Sequence, residues 1–154
     1  MGGMAVRALG IPRPTYDGDL TIDATGDEVA AVLTQLEDDG FRVPEEFRRG
    51  YRDTLAGMQK LAISCFDSGH AWRIDVFLVT TKYQRAAFDR RKSLNYLGGE
   101  RPLMTPEDLV LHKLIAWRPK DRADIQDLLI LHRPLDETYL RRWAAELDVT
   151  ARLD

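Results

Sequence analysis

Alternating apolar and polar positions mark candidate strands in the first half of the chain. Tyr16–Ile22 alternates in strand fashion, and Leu61–Phe66 and Trp72–Val79 are apolar runs on either side of the turn Asp67–His70. A short polar turn between two such runs is typical of a β-hairpin. Leu94–Leu97 is a shorter candidate strand that ends at two glycines. The pattern therefore predicts a β-hairpin with further strands before and after it.

Apolar positions at helical spacing predict five helices, most of them in the second half of the chain. Val29, Leu33 and Leu36 fall on one helix face, and Gly40 suits the C-terminal cap. The strongest start signal is Thr105, an N-cap residue followed by proline at the first helical position and then by two acids. The predicted helices cover residues 27–39, 81–92, 105–117, 122–132 and 136–147.

The order of these elements predicts an α+β fold, in which a small mixed β-sheet packed by helices is followed by a helical C-terminal part. A chain of 154 residues, of which 44% are apolar, has the usual size and composition of one globular domain. We therefore expect a single domain over residues 1–154, with a sheet-rich core at about 1–100 and a helical part at about 105–148.

Charge and cysteine content exclude several kinds of protein. The formal net charge is -3, from 22 basic and 25 acidic residues, so the molecule as a whole does not attract nucleic acid. Cys65 is the only cysteine, which excludes an intrachain disulfide, and no His/Cys cluster has zinc-site spacing. No apolar run approaches the roughly 20 residues that span a bilayer, and no signal peptide is recognisable. We therefore expect a cytoplasmic protein with no membrane partner.

Asp17 and Asp19 lie two positions apart on the first candidate strand and therefore on the same face. Two like charges at such positions repel each other, and strand interiors disfavour aspartate. A divalent cation removes this cost, and Mg²⁺ is typically held by one or two carboxylates together with substrate phosphates. The alternative is that both acids are simply solvated, in a turn or on an edge strand.

Asp75 stands between Ile74 and Val76 in the most apolar strand of the chain. An ionised carboxylate at such a position is costly without a partner. A metal ion shared with Asp17 and Asp19 is one such partner. A cross-strand arginine is the other, and the residue alone does not decide between them.

The beginning of the chain carries Gly2 and Gly3 directly before a short helix-compatible stretch that ends at Gly10. This is the order of a turn that approaches phosphates, followed by a helix whose N-terminus attracts anions. The two glycines are therefore candidates for contact with a phosphorylated ligand.

A third charged region follows the Thr105 start signal. Lys113 lies on the predicted helix, where its ammonium can meet a triphosphate as a point charge. Beyond that helix, Asp121 and Asp124 belong to a polar stretch from Arg118 onward. The alternative is a solvated turn between two helices, whose acids favour the next helix N-terminus.

Five blocks of the sequence resemble, in order, those of the AbiEii/AbiGii-type nucleotidyltransferases, a branch of the polymerase-beta-like superfamily. The similarity extends from Gly2 to about Leu131. The blocks are Gly2–Arg7, Pro12–Leu20, Arg73–Phe77, Thr105–Ala116 and Arg118–Asp124.

The resemblance implies a minimal nucleotidyltransferase fold and transfer of a nucleoside monophosphate from a triphosphate to an RNA or protein acceptor, with Mg²⁺ or Mn²⁺ as cofactor. It also implies a toxin role beside an antitoxin protein, and tRNA or another RNA as an acceptor. Asp17, Asp19 and Asp75 match the catalytic, metal-binding acids of the family. The implied nucleotide-binding residues are Gly2, Gly3, Arg13, Thr15, Lys113, Asp121 and Asp124.

The sequence departs from the family pattern in two places. The family has a strand and usually a helix before the Gly-Gly turn, whereas this sequence starts at the turn, and Gly18 replaces the apolar residue between the two acids. A glycine there removes a side chain from the core face and loosens the strand. The alternative function is therefore a catalytically inactive module of the same fold that binds a nucleotide or a protein partner.

RNA binding through a basic helix face is a further hypothesis. Its residues are Lys82, Arg85, Arg90, Arg91 and Lys92. Clustered cations attract phosphate backbones, but a basic helix face is more often only solvated.

Overall fold

The structure is a computed structural model that describes residues 2–55, 57–67 and 69–153. In chain order the elements are α1 (Gly2–Ala8), β1 (Asp17–Ile22), α2 (Gly26–Asp38), α3 (Glu45–Arg48), β2 (Asp53–Leu55), β3 (Met58–Asp67), β4 (His70–Leu78), α4 (Lys82–Asp89), β5 (Lys92–Tyr96), β6 (Gly99–Leu103), α5 (Pro106–Ala116), α6 (Pro119–Leu131), α7 (Glu137–Glu146) and α8 (Thr150–Leu153). The predicted α+β class is confirmed. Each of these helices falls short of the length and hydropathy that a membrane crossing requires.

The chain divides into two compact units. The sheet unit is Pro14–Arg85, and the helical unit consists of Met1–Arg13 and Ala86–Asp154. The sequence predicts a different division, because it places the first residues of the chain and residues 86–100 in the sheet-rich part. A single domain over the whole chain stays a prediction.

The sheet unit contains a four-stranded mixed sheet in the order β1-β4-β3-β2. β1 runs parallel to β4, and the β3–β4 and β2–β3 pairs are antiparallel. The predicted hairpin is confirmed, since β3 and β4 pair from Lys60 and Phe77 up to Asp67 and His70. β1 is therefore an edge strand whose one neighbour in the sheet is the central strand β4.

One face of this sheet packs against helices to form the core of the unit. Leu61, Ile63, Val76 and Leu78 belong to the same buried cluster as the inward side chains of α2 and as Phe47 of α3. Burial of this apolar surface is the main force holding the unit together. Because side chains alternate along a strand, the residues between these positions point to the opposite, polar face.

Four short elements of the structure, α3, β2, β6 and α8, are missing from the sequence prediction. Residues 44–57, which read as polar and irregular, contain α3 and β2, and β6 pairs with β5 in a second, two-stranded sheet. α3 has only four residues, and β2 has three. Elements this short carry too few apolar positions to show a period, so their pairing or packing partners determine them.

The helical unit is built around α5. Thr105 caps this helix as predicted, its hydroxyl accepting the backbone N–H of Asp108, and Trp117 ends it in the left-handed conformation at φ 49°. Leu109, Val110, Leu111 and Leu114 are all 0% exposed, so α5 is buried on every side. α1, α6 and α7 pack against it.

Gly2 and Gly3 correct one expectation about the start of the chain. They lie within α1, of which Gly3 is a buried residue, and not in a turn ahead of the helix. Ala5 and Val6 of the same helix are fully buried. The small side chains here fit close packing inside the unit, and a phosphate contact by the two glycines stays a prediction.

Substitution of Gly18 tests how much this glycine lowers the stability of β1. A Cβ added at Gly18 meets Ile74 Cγ1 at 3.4 Å, which is ordinary contact, and its φ is not positive. Because glycine costs a strand about 0.5–1 kcal/mol relative to alanine, Gly18→Ala should raise the free energy of unfolding by about that amount in urea denaturation. Gly40→Ala is the matched control: φ is +87° there, so the same change should destabilise the protein. A loss of stability in Gly18→Ala would show that the strand needs the missing side chain.

Candidate functional site

The polar face of the four-stranded sheet brings distant acids together. In the parallel pairing of β1 with β4, Asp19 is aligned with Asp75, and Asp17 is aligned with Arg73. Aligned residues of paired strands share a face, and neighbouring strands lie only about 4.8 Å apart. Asp75 is thus on the same face as Asp17 and Asp19, as the catalytic interpretation of the sequence requires.

Asp75 has two cationic partners on this face. Lys60 Nζ donates to Asp75 Oδ2 at 2.9 Å, and Arg73 Nε donates to Oδ1 at 3.1 Å. The side chain of Lys60 is 8% exposed, that of Asp75 is 21% exposed and that of Arg73 is 63% exposed. The alternative of a cross-strand arginine is therefore met only in part. The arginine comes from the same strand as Asp75, and the cross-strand cation is Lys60 of β3.

Lys60 is a site residue that sequence reasoning missed. It precedes Leu61 in β3 and is one of the few buried polar residues of the sheet unit. The only signal in the sequence is a lysine directly beside an apolar strand run, which is too common to indicate a site. The contact with Asp75 depends on the β3–β4 register, which local sequence does not encode.

Thr15 supports the acidic pair from the loop before β1. Its hydroxyl donates to Asp17 Oδ1 at 3.1 Å and lies 3.3 Å from the backbone carbonyl oxygen of Asp17. This contact orients the Asp17 side chain at the start of the strand. The implied contact of Thr15 with a nucleotide stays a prediction.

The acids of this face fit magnesium by ligand type, but their side chains are not gathered around one point. Within residues 2–55, 57–67 and 69–153, no group of three His, Cys, Asp or Glu side chains is arranged to hold a metal ion. Asp19 and Asp75 are neighbouring carboxylates on paired strands. Two carboxylates and substrate phosphates are the usual magnesium ligands, so the donor set fits this ion.

A second charged cluster lies between α5 and α6 in the helical unit. Lys113 Nζ lies 3.1 Å from Asp121 Oδ1 and 2.6 Å from Asp124 Oδ2, and Arg13 pairs with the same oxygen of Asp124. Asp121 is 0% exposed and Asp124 is 5% exposed. The alternative of a solvated turn is therefore wrong for these two acids, since they form a buried network of alternating charge.

Asp121 is the best-bonded acid of this network. Burial alone would raise the pKa of its carboxyl, but hydrogen bonds from Arg118 and Lys113 and the charge of Lys113 outweigh burial and lower the pKa. Arg118 donates both from its backbone N–H, at 3.0 Å, and from Nε, at 2.6 Å. Asp121 thus fixes the N-terminus of α6 against α5. The structure gives Lys113, Asp121 and Asp124 this structural role, and their implied nucleotide contacts stay predictions.

Comparison with known proteins bears on the fold. No protein-family model matches the sequence, and no curated protein sequence matches it either. Among solved structures, the chain is similar to the crystal structure of an antigenic nucleotidyltransferase-like protein from Paracoccidioides brasiliensis, with a TM-score of 0.58 and 22% sequence identity. The match covers 97% of this chain and 83% of the fungal one. The fold is nucleotidyltransferase-like.

The nucleotidyltransferase-like fold agrees with the fold that the sequence blocks imply. The similarity at 22% identity concerns the path of the chain, not its chemistry. It does not distinguish the AbiEii/AbiGii branch from others.

The basic residues of the RNA-binding hypothesis are in part already paired. In the sheet unit, Arg85 forms a bidentate pair with Asp23. In the helical unit, Arg90 contacts Glu107 and Asp108 and lies 3.9 Å over the ring of Tyr139. Paired cations attract phosphate less strongly, so these contacts weaken the RNA hypothesis for both arginines.

His112 gives a pH test of the buried helix α5. Burial lowers the pKa of His112 from 6.5 to about 4, although a hydrogen bond between Nδ1 and the carbonyl oxygen of Asp108 opposes the effect. As the pH is lowered, His112 is therefore protonated near pH 6.5 in the unfolded chain but only near pH 4 in the folded chain. The free energy of unfolding should fall by about 3 kcal/mol across this window as the pH is lowered.

Urea denaturation of wild type and His112→Gln at intervals from pH 7 to pH 4 measures this effect. The substitution should flatten the slope, because glutamine does not titrate. Asp121 acts at lower pH, since its pKa is lowered from an ordinary value of 3.8. Equal slopes for the two proteins would show that His112 takes up its proton in the folded state.

Proposed function

We propose that this protein is a metal-dependent nucleotidyltransferase that moves a nucleoside monophosphate from a nucleoside triphosphate to an RNA or protein acceptor. The observation that supports it most is the parallel pairing of Asp19 with Asp75, with Asp17 on the same face. The nucleotidyltransferase-like fold agrees with the proposal.

In this proposal Asp17, Asp19 and Asp75 are the acids that hold Mg²⁺ or Mn²⁺. Bound metal would stabilise the charge that develops on the phosphates and favour ionisation of the acceptor hydroxyl. Thr15 keeps Asp17 oriented, and Lys60 and Arg73 set the charge around Asp75. Gly2, Gly3, Arg13, Thr15, Lys113, Asp121 and Asp124 remain the proposed nucleotide-binding residues, on the resemblance alone.

A second candidate is a module that binds a nucleotide or protein without transfer. Two observations favour it. Asp75 is already neutralised by Lys60 and Arg73, and the described acids are not gathered into a three-ligand metal site. A toxin role with an antitoxin partner is part of the first proposal and rests on the sequence blocks.

A transfer assay separates these candidates. The protein is incubated with each of the four α-labelled nucleoside triphosphates, with Mg²⁺, Mn²⁺ or EDTA, in the presence of total RNA. Label on RNA or on protein that disappears with EDTA supports the transferase. Calorimetric nucleotide binding without any transfer supports the inactive nucleotide-binding module, and the absence of both nucleotide binding and transfer overturns the transferase and the nucleotide-binding module together.

A further inference from the structure

Lys60 lies between two carboxylates from different strands. Its ammonium is 2.9 Å from Asp75 Oδ2 on β4 and 3.6 Å from Asp53 Oδ2 on β2. Asp53 is the direct cross-strand partner of Lys60, whereas Asp75 is its diagonal neighbour on the other side. A small movement of one flexible side chain therefore exchanges one carboxylate for the other.

Burial makes this lysine dependent on its partners. The side chain of Lys60 is 8% exposed, so its charge is stable there only while a carboxylate compensates it. Asp53 is a suitable second partner, because its side chain is 47% exposed and already within ion-pair distance. Lys60 thus has two positions that satisfy its charge, with Asp75 the nearer at present.

The two positions of the Lys60 side chain differ in whether Asp75 Oδ2 is available to another cation. While Lys60 holds Oδ2, the carboxylate shares an ammonium that repels any further cation brought to the same oxygen. When Lys60 pairs with Asp53 instead, Oδ2 is released and the repelling charge is further away. The position of Lys60 therefore controls the affinity of Asp75 for a divalent cation.

We propose that Lys60 is a positioning residue that neutralises Asp75 in the metal-free protein and passes to Asp53 when Asp75 takes up a divalent cation. This inference rests on the proposed function, since it gives Asp75 the role of a metal ligand. It adds a residue from β3 and one from β2 to the control of the site, neither of which belongs to the sequence blocks.

Titration of the full-length protein with Mn²⁺, followed by electron paramagnetic resonance without nucleotide, tests the proposal. Lys60→Met removes the competing ammonium and keeps the apolar stem, so the Kd for Mn²⁺ should fall about ten- to a hundredfold, the range in which residues around metal ligands act. Asp53→Asn removes the second partner and keeps Lys60 on Asp75, so the Kd should rise.

Opposite shifts in these two variants are a signature that a purely structural role does not produce. Arg49→Gln is the matched control: it removes a cation that is 77% exposed and paired with Glu45 on α3, which packs on the other face of the sheet. Its Kd should equal that of the wild type. If Lys60→Met does not fold, the Kd of Asp53→Asn for Mn²⁺ is the test, because the half-exposed side chain of Asp53 tolerates the change.

Three outcomes overturn the proposal, and they are distinguishable. Equal Mn²⁺ affinity in wild type, Lys60→Met and Asp53→Asn removes Lys60 from the site and leaves the transferase proposal standing. Weaker binding in Lys60→Met shows that the lysine supports metal binding and does not compete with it. No Mn²⁺ binding by any of the three proteins, Lys60→Met included, shows that Asp75 takes up no cation in the nucleotide-free protein and overturns the role of Lys60, whereas loss of the EDTA-sensitive transfer is the separate result that overturns the metal-dependent function.

Discussion

Replacing Lys113 with methionine should lower the free energy of unfolding by about 3–5 kcal/mol. The side chain of Lys113 is 5% exposed and pairs with two aspartates whose side chains are 0% and 7% exposed. Removing its charge leaves Asp121 with Arg118, and Asp124 with Arg13, in surroundings from which water is largely excluded. Each acid then keeps one cation, and that cation is itself more exposed than Lys113, so the buried negative charge is only partly compensated, which is costly in a protein interior. Urea denaturation at pH 7 measures the loss.

Arg118→Met is the control for this prediction. Arg118 also pairs with Asp121, but its side chain is 54% exposed, so its contribution is screened by water. Arg118→Met should therefore lower the free energy of unfolding clearly less than Lys113→Met does. Equal and small losses in the two variants would mean that the buried network contributes little net stability. Calorimetry of Lys113→Met with each nucleoside triphosphate then tests, separately, the nucleotide contact that the resemblance implies.

Asp75→Asn should reduce nucleotidyl transfer by about a thousandfold in the labelled-nucleotide assay. Metal ions contribute several kcal/mol of transition-state stabilisation, and each 1.4 kcal/mol corresponds to a factor of about ten in rate. Asp19→Asn, at the aligned position on β1, should reduce transfer to a similar degree. Both variants should also lose the gain in thermal stability that Mg²⁺ gives the wild type by binding to the folded state.

The two variants should differ in the absence of metal. Asp75→Asn takes the nearer partner from the buried ammonium of Lys60, so its metal-free form should be less stable than the wild type. Thermal unfolding in EDTA measures this difference. Full transfer activity in either variant would exclude the substituted aspartate from the reaction. Full activity of Asp75→Asn would show that Asp75 is an ordinary ion-pair residue.

Sequence reasoning succeeded where one local pattern determines the outcome. Thr105 with the proline after it defines the start of α5, and the alternation from Tyr16 onward defines β1. It also placed Asp17 and Asp19 on one face, because side chains alternate strictly along a strand. The sequence predicts only that Asp75 shares a metal ion with Asp17 and Asp19, and the alignment of Asp75 with Asp19 comes from the structure, since no local rule pairs strands so far apart.

The remaining features depend on contacts between distant segments. Lys60 reaches Asp75 only because β3 and β4 adopt one particular register. The sequence predicts that Lys113 is available to a ligand. In the structure α5 is buried on every side, and Lys113 pairs with Asp121 and Asp124. Gly2 and Gly3 are predicted as a phosphate-binding turn, but they are the first residues of α1, and Gly3 is buried.

The edge position of β1 has a consequence for the order of folding. The β3–β4 hairpin joins neighbouring segments of the chain and closes with little loss of chain entropy. The β1–β4 pairing must enclose α2, α3, β2 and β3, and contacts of such long sequence separation form slowly. Asp17 and Asp19 therefore meet Asp75 in one of the last pairings of the sheet. A nascent or partly unfolded chain can therefore have an intact β3–β4 hairpin while Asp17 and Asp19 are still apart from Asp75. The three acids come together only when the four-stranded sheet is complete.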